Sequence, residues 1–97
     1  MRLEWDPRKS VQNLEKHGIS FEEAAQLLLG TANPMEAFDS THSDEENRFV
    51  AIGPIERGVI VVIFTEYGDE TVRIISARET TRREKRRYEA WKAGAVD

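Results

Sequence analysis

Residues 48–77 constrain this chain more than any other stretch. Three segments, 48–55, 59–66 and 70–77, read as β-strands, and only Glu56-Arg57-Gly58 and Tyr67-Gly68-Asp69 separate them. Links this short, each containing a glycine, turn the chain straight back, so the three strands are expected to be antiparallel neighbours. Residues 59–64 run Val-Ile-Val-Val-Ile-Phe, apolar at every position. A strand with one wet face is apolar only at alternate positions, so this one is expected at the centre of a sheet, covered on both faces.

The flanking segments carry helix punctuation. Leu3-Glu4-Trp5 reads as a short strand. Asp6-Pro7 then opens a helix, because Asp accepts from free backbone N–H groups and the missing N–H of Pro is harmless in the first turn. Val11 and Leu14, with Lys16 or His17, line the faces of that helix, and Gly18 ends it. Ser20 and Glu23 have capping-box spacing, with Ile19 placed to staple over Ala24. Phe21, Ala24, Ala25, Leu27, Leu28 and Leu29 make the second helix the most apolar one, suited to sealing the core up to Gly30. Residues 35–39 form a short strand, and 40–47 a polar, acidic loop containing His42. Thr81 and Glu84 repeat the capping-box spacing and start a last helix running to about Ala93. The order is β-α-α-β-β-β-β-α. It predicts an α+β fold: a mainly antiparallel sheet with two N-terminal helices and one C-terminal helix, in a single domain over residues 1–97.

Several classes of function are disfavoured by what the chain lacks. There is no cysteine, so disulfides and thiolate metal sites are excluded. The longest apolar run, 59–64, is far short of the roughly 18 residues of a membrane span. The opening residues are short and charged, unlike a signal peptide. A cytoplasmic location away from membranes is the expectation. Only two histidines occur, His17 and His42, too far apart for a local metal-ligand motif, so no metal or other cofactor is expected. His42 beside Asp44 and Glu45 reads as a solvated polar residue. No Walker-type phosphate loop occurs, and Ser76 has no evident His/Asp partners.

Charge is unevenly spread. The net charge is −4. Yet the stretch 73–92 holds eight basic residues (Arg73, Arg78, Arg82, Arg83, Lys85, Arg86, Arg87, Lys92) against Glu79, Glu84 and Glu89. A basic C-terminal quarter on an acidic body is a patch, and patches steer binding more than net charge does.

Three groupings carry potential chemistry. Lys16 and His17 sit at the end of the first helix, where the helix dipole favours charged imidazole, though basic residues favour helix ends in any case. Arg73 and Arg78 bracket Ile-Ile-Ser-Ala on one strand. In a regular strand their five-residue separation turns them to opposite faces, with Ile75 and Ala77 beside Arg73, and Val72, Ile74 and Ser76 beside Arg78. Glu66 or Glu70 is the expected ion-pair partner of Arg73 if it has one. Finally, the arginines between 78 and 87 lead into Tyr88, which is three residues from Trp91 on the same helix face. Arginine forks bind phosphate oxygens, and tyrosine stacks on bases or moves protons, although both aromatics also suit packing against the sheet. Such an inventory suffices for RNA cleavage without a metal. A base takes the proton of a ribose 2′-hydroxyl, cations stabilise the phosphorane-like charge, and an acid protonates the leaving oxygen.

Several strings, in order over nearly the whole chain, resemble the BrnT toxin family. They are Trp5-Asp6-Pro7, Asn13-Leu14-Glu15-Lys16-His17-Gly18-Ile19-Ser20-Phe21-Glu22-Glu23-Ala24, the region 42–48, Phe64-Thr65-Glu66 and Arg73-Ile74-Ile75-Ser76-Ala77-Arg78, with Thr80, Thr81, Arg83-Glu84 and Tyr88-Glu89. The resemblance implies a RelE-like fold and a ribonuclease toxin of a type II toxin–antitoxin system that inhibits translation. It also implies a BrnA-like ribbon-helix-helix antitoxin as partner, with operator DNA bound only through that antitoxin. His17, Lys16, Arg78 and Tyr88 are then the expected catalytic residues of a metal-independent endoribonuclease, and Arg73, Arg82, Arg83, Arg86 and Arg87 the expected RNA contacts. The competing reading is a non-catalytic module that binds ribosomes, or the antitoxin as a corepressor. Lys16 with His17 separates the two, since a pure binder has no need of a proton-transfer group.

Overall fold

The computed structural model describes residues 1–31, 33–38, 47–68 and 70–94. The elements are β1 (Arg2–Glu4), α1 (Pro7–His17), α2 (Phe21–Leu29), β2 (Met35–Phe38), β3 (Arg48–Ile55), β4 (Gly58–Tyr67), β5 (Thr71–Glu79) and α3 (Arg82–Lys92). This is the α+β order expected from the sequence. The expected 40–47 loop, with His42, lies outside the described residues apart from Asn47, as does Asp69 of the second hairpin.

The five strands form one sheet in the order β1-β5-β4-β3-β2. β2 to β5 pair antiparallel, and β1 adds to β5 in parallel. β4 is central, and its unbroken apolar run serves two cores. Ile60, Val62 and Phe64 face one side with Ile19, Phe21, Ala24 and Leu27 from α2 and its approach. Val61 faces the other side, with Ile52 and Tyr88 of α3. The sheet is thus sandwiched between α2 on one face and α3 on the other, with α1 packed beside α2 along β5. α2 comes very close to β3: a Cβ on Gly53 would lie 2.6 Å from Leu27 Cδ1, so any larger residue there would have to displace the Leu27 side chain.

The caps form as the sequence predicts. Asp6 accepts from Arg8 N, and both Ser20/Glu23 and Thr81/Glu84 close full capping boxes. Gly18 ends α1 in the left-handed region at φ 75°, which side chains with a Cβ resist. The inward face of α1 is a surprise. Val11 and Leu14 are exposed, at 57 % and 48 %, while Ser10 and Asn13 are buried. Polar groups are stable there because each is hydrogen-bonded. Ser10 Oγ accepts from Phe21 N and donates to Glu22 Oε1, both at 2.9 Å.

One strand departs from regularity, with consequences for the arginines. Ile63 pairs with Ser76 but Phe64 pairs with Ile74, so Ile75 is an extra residue in β5. This β-bulge shifts the alternation by one. Arg73 lies opposite Thr65, Ser76 opposite Ile63 and Arg78 opposite Val61. Thr65, Ile63 and Val61 alternate along β4 and share the α3 side of the sheet, and cross-strand partners share a face. The expectation that Arg73 and Arg78 point to opposite faces is therefore corrected: the bulge puts both on one face, with Ser76 between them.

Candidate active site

β1 covers β5 only as far as Arg73, so among the described residues the edge of β5 beyond it has no neighbouring strand. α1 occupies that edge. The Asn13 carboxamide accepts from Ala77 N at 3.3 Å and donates to Ala77 O at 2.8 Å and to Ile19 O at 2.7 Å. The last turn of α1 is thereby fixed beside the bulge. Lys16 and His17 line a shallow groove there with Lys9, Gln12, Asn13, Ile75 and Ser76. His17 is half-buried and Lys16 exposed. From the β3–β4 turn, Arg57 donates to Gly18 O and pairs with Glu23 Oε2 at 3.2 Å, which ties down the corner between α1 and α2.

Ser76 connects this groove to the arginines, since it lines the groove and lies on the same sheet face as Arg73 and Arg78. Arg73 is paired at 2.7 Å with Glu4, rather than with Glu66 or Glu70. The parallel ladder sets Glu4 directly beside it. In the same row the hydroxyl of Thr65 is buried and finds no hydrogen-bond partner among the described residues. Arg78 holds Glu84 in a two-pronged pair, Nη1 to Oε1 and Nη2 to Oε2, both at 2.8 Å. The hydrogen bond to Arg78, opposed by burial and aided by the backbone N–H of Thr81, holds the Glu84 carboxyl down at about 2. The same hydrogen bond raises Arg78 above its ordinary value, against burial. Arg78 thus ties β5 to the start of α3, because Glu84 is also the capping-box residue of that helix.

The remaining sequence candidates lie on α3. Tyr88 is buried at 4 % exposure, its ring 6.0 Å from that of Trp91, and it does not line the Lys16–His17 groove. Arg82, Arg83, Arg86 and Arg87 are exposed along the outer side of α3. Among the described residues no group of His, Asp and Glu is placed to hold a metal ion. Asn13, Ser76 and Arg57 are the site residues that sequence reasoning passed over. Ser10 and Asn13, three apart, share one helix face, but nothing local marks that face as the inward one. Nothing local marks Arg57, whose partners are distant in sequence.

The arrangement offers an imidazole, a lysine and a hydroxyl in one groove, with two guanidinium groups on the adjoining face. That combination suits proton transfer next to a phosphate. The model of a family described as "Ribonuclease toxin, BrnT, of type II toxin-antitoxin system" matches residues 5–84. The crystal structure of the Brucella abortus ribonuclease toxin BrnT superposes with a TM-score of 0.61 at 29 % identity, covering 84 % of this chain and 99 % of that one. No curated protein sequence matches the chain. On the extent of the family match, the chain belongs to the BrnT family of ribonuclease toxins of type II toxin–antitoxin systems.

Proposed function

We propose that this single-domain protein is an endoribonuclease that cleaves RNA without a metal ion and so inhibits translation. The 2′-oxygen of a ribose bonds to the adjacent phosphorus as the bond to the next 5′-oxygen breaks. One proton leaves the 2′-hydroxyl, one reaches the departing oxygen, and the product end is a 2′,3′-cyclic phosphate. The observation that carries the reading is the groove in which Lys16 and His17 meet Ser76, beside Arg73 and Arg78 on one sheet face. His17 moves a proton, Lys16 supplies charge, and Arg73 faces the phosphate. Arg78 acts from within its pair with Glu84, and Tyr88 acts by seating α3 on the sheet. Arg82, Arg83, Arg86 and Arg87 give RNA an electrostatic track.

In the same reading a BrnA-like ribbon-helix-helix antitoxin neutralises the toxin by covering the basic α3, and operator DNA is held only through that antitoxin. The toxin works in the cytoplasm, in keeping with helices none of which, among the described residues, is long and apolar enough to cross a membrane. The test is cleavage of RNA by purified protein in excess EDTA, with the 5′-fragment analysed for a cyclic phosphate end. Binding without cleavage leaves the non-catalytic module as the answer. Cleavage abolished by EDTA and restored by a divalent metal overturns metal independence. Expression that leaves growth and translation untouched, in a host without antitoxin, overturns the toxin reading.

A further inference from the structure

Three concavities lie end to end between α3 and the β3–β4 hairpin. The first is framed by Arg57, Thr80 and Lys85, the second by Pro54, Val59 and Lys92, and the third by Asn33, Tyr88 and Trp91. They share lining residues: Val59 joins the first to the second, and Pro54, Tyr88 and Lys92 join the second to the third. The three therefore make one groove along the flank of α3. Lys85 stands at its start and Lys92 near its end, seven residues on, which is about 10 Å along a helix axis. The far end has a volume of about 510 Å³ and is mostly apolar, lined by the tilted Tyr88–Trp91 pair together with the exposed Asn33.

A groove that is cationic along one side and aromatic at one end matches single-stranded nucleic acid, whose phosphates and unstacked bases demand those two features together. Glu79 and Glu89 also border it. Even so, the lining itself holds Arg57, Lys85 and Lys92 against those two carboxylates, and the outer arginines of α3 run alongside. That cationic surplus beside an aromatic end suits a strand that carries both phosphates and bases, where an acidic peptide would bring charge without bases. The groove's basic end also adjoins the active-site corner, because Arg57 lines it and at the same time holds the end of α1 that bears Lys16 and His17.

We propose that this groove binds single-stranded RNA, with Lys85 and Lys92 meeting phosphates and the Trp91 end receiving one unstacked base whose edge Asn33 reads. The proposal rests on the RNA-cleaving reading above, and it places substrate on the inner flank of α3 rather than only on its outer arginines.

The chain has two tryptophans, Trp5 and Trp91. In a Trp5→Phe variant, Trp91 alone reports on the groove. Titration with a short 2′-O-methyl oligoribonucleotide, which lacks the attacking hydroxyl, should quench its emission, and added salt should reverse the effect. Lys85→Ala and Lys92→Ala, both exposed, should each weaken binding several-fold with an unchanged melting transition. Trp91→Leu should weaken it roughly tenfold, the loss of one stacked base. If the labelled oligonucleotide binds while Trp91 emission is unchanged and all three variants bind normally, the groove proposal fails and the ribonuclease reading stands. If emission responds to the antitoxin and not to RNA, the groove is a protein-docking surface and the proposal fails. If the protein neither binds nor cleaves RNA, both fail together.

Discussion

The Asn13 side chain pairs with both backbone groups of Ala77, accepting from its N–H at 3.3 Å and donating to its carbonyl at 2.8 Å. One carboxamide thus does the work of a neighbouring strand on the unpaired edge of β5. It also satisfies Ile19 O at 2.7 Å, at the turn into α2. Asn13→Ala should leave these buried backbone groups without partners, at a cost of roughly 2–4 kcal/mol. For a domain of this size that is a fall in Tm of about 10–20 °C. Asn13→Asp should destabilise comparably at pH 7, because a carboxylate cannot donate to two carbonyls, and recover in part on acidification. Thermal unfolding followed by circular dichroism reads both; a variant within 2–3 °C of wild type would show that Asn13 is not the latch.

Acid should loosen the junction between β5 and α3. The Glu84 carboxyl is lowered from 4.5 to about 2 by Arg78. A depressed carboxylate contributes stability that is complete above its unfolded value and is lost as pH falls towards its folded one. The window is therefore from about 4.5 down to about 2. Because the pair is only partly buried, the contribution is about 1 kcal/mol once solvent screening is allowed for. Glu84→Gln should lower Tm at pH 7 by a few degrees and flatten the dependence over that window. An identical acid profile in the variant would assign the acid sensitivity to other carboxyls.

Catalysis should separate from folding at the end of α1. His17→Gln should slow RNA cleavage about 100-fold or more while RNA binding and Tm stay near wild type. Lys16→Ala should lower the rate less, through loss of charge. Arg73 is a less clean probe, since it also pairs with Glu4 across the β1–β5 junction, and its removal takes away that partly exposed link as well. A folded His17→Gln protein cleaving at the wild-type rate removes His17 from the mechanism.

The exposed arginines of α3 should act additively and electrostatically. Single alanine variants at Arg82, Arg83, Arg86 and Arg87 should keep the wild-type Tm, weaken RNA binding, and each reduce the slope of log K against log salt by about 0.7. Binding isotherms at several salt concentrations measure this. Four variants with unchanged slopes would move the RNA track off the outer face of α3.

Local chemistry in the sequence determined the elements, their ends and most of the sheet. Residues 59–64 announced a central strand because no alternating pattern breaks them, and Ser20/Glu23 and Thr81/Glu84 announced helix starts because a capping box needs only residues three apart. Lys16, His17 and the basic α3 were visible as clusters for the same reason. Tertiary structure alone decided what depends on partners distant in the chain. The bulge at Ile75 reverses the facing of Arg78 relative to Arg73, and no residue type in Ile-Ile-Ser-Ala signals it, because the bulge is a property of how β5 pairs with β4. The parallel docking of β1 selects Glu4 over Glu66 or Glu70 as the partner of Arg73. The inward turn of Asn13, with Val11 and Leu14 left outside, follows from the missing strand beside Ala77. A backbone edge that must be satisfied outweighs the burial of two aliphatic side chains, since an unpaired buried amide and carbonyl cost more than an exposed Val or Leu.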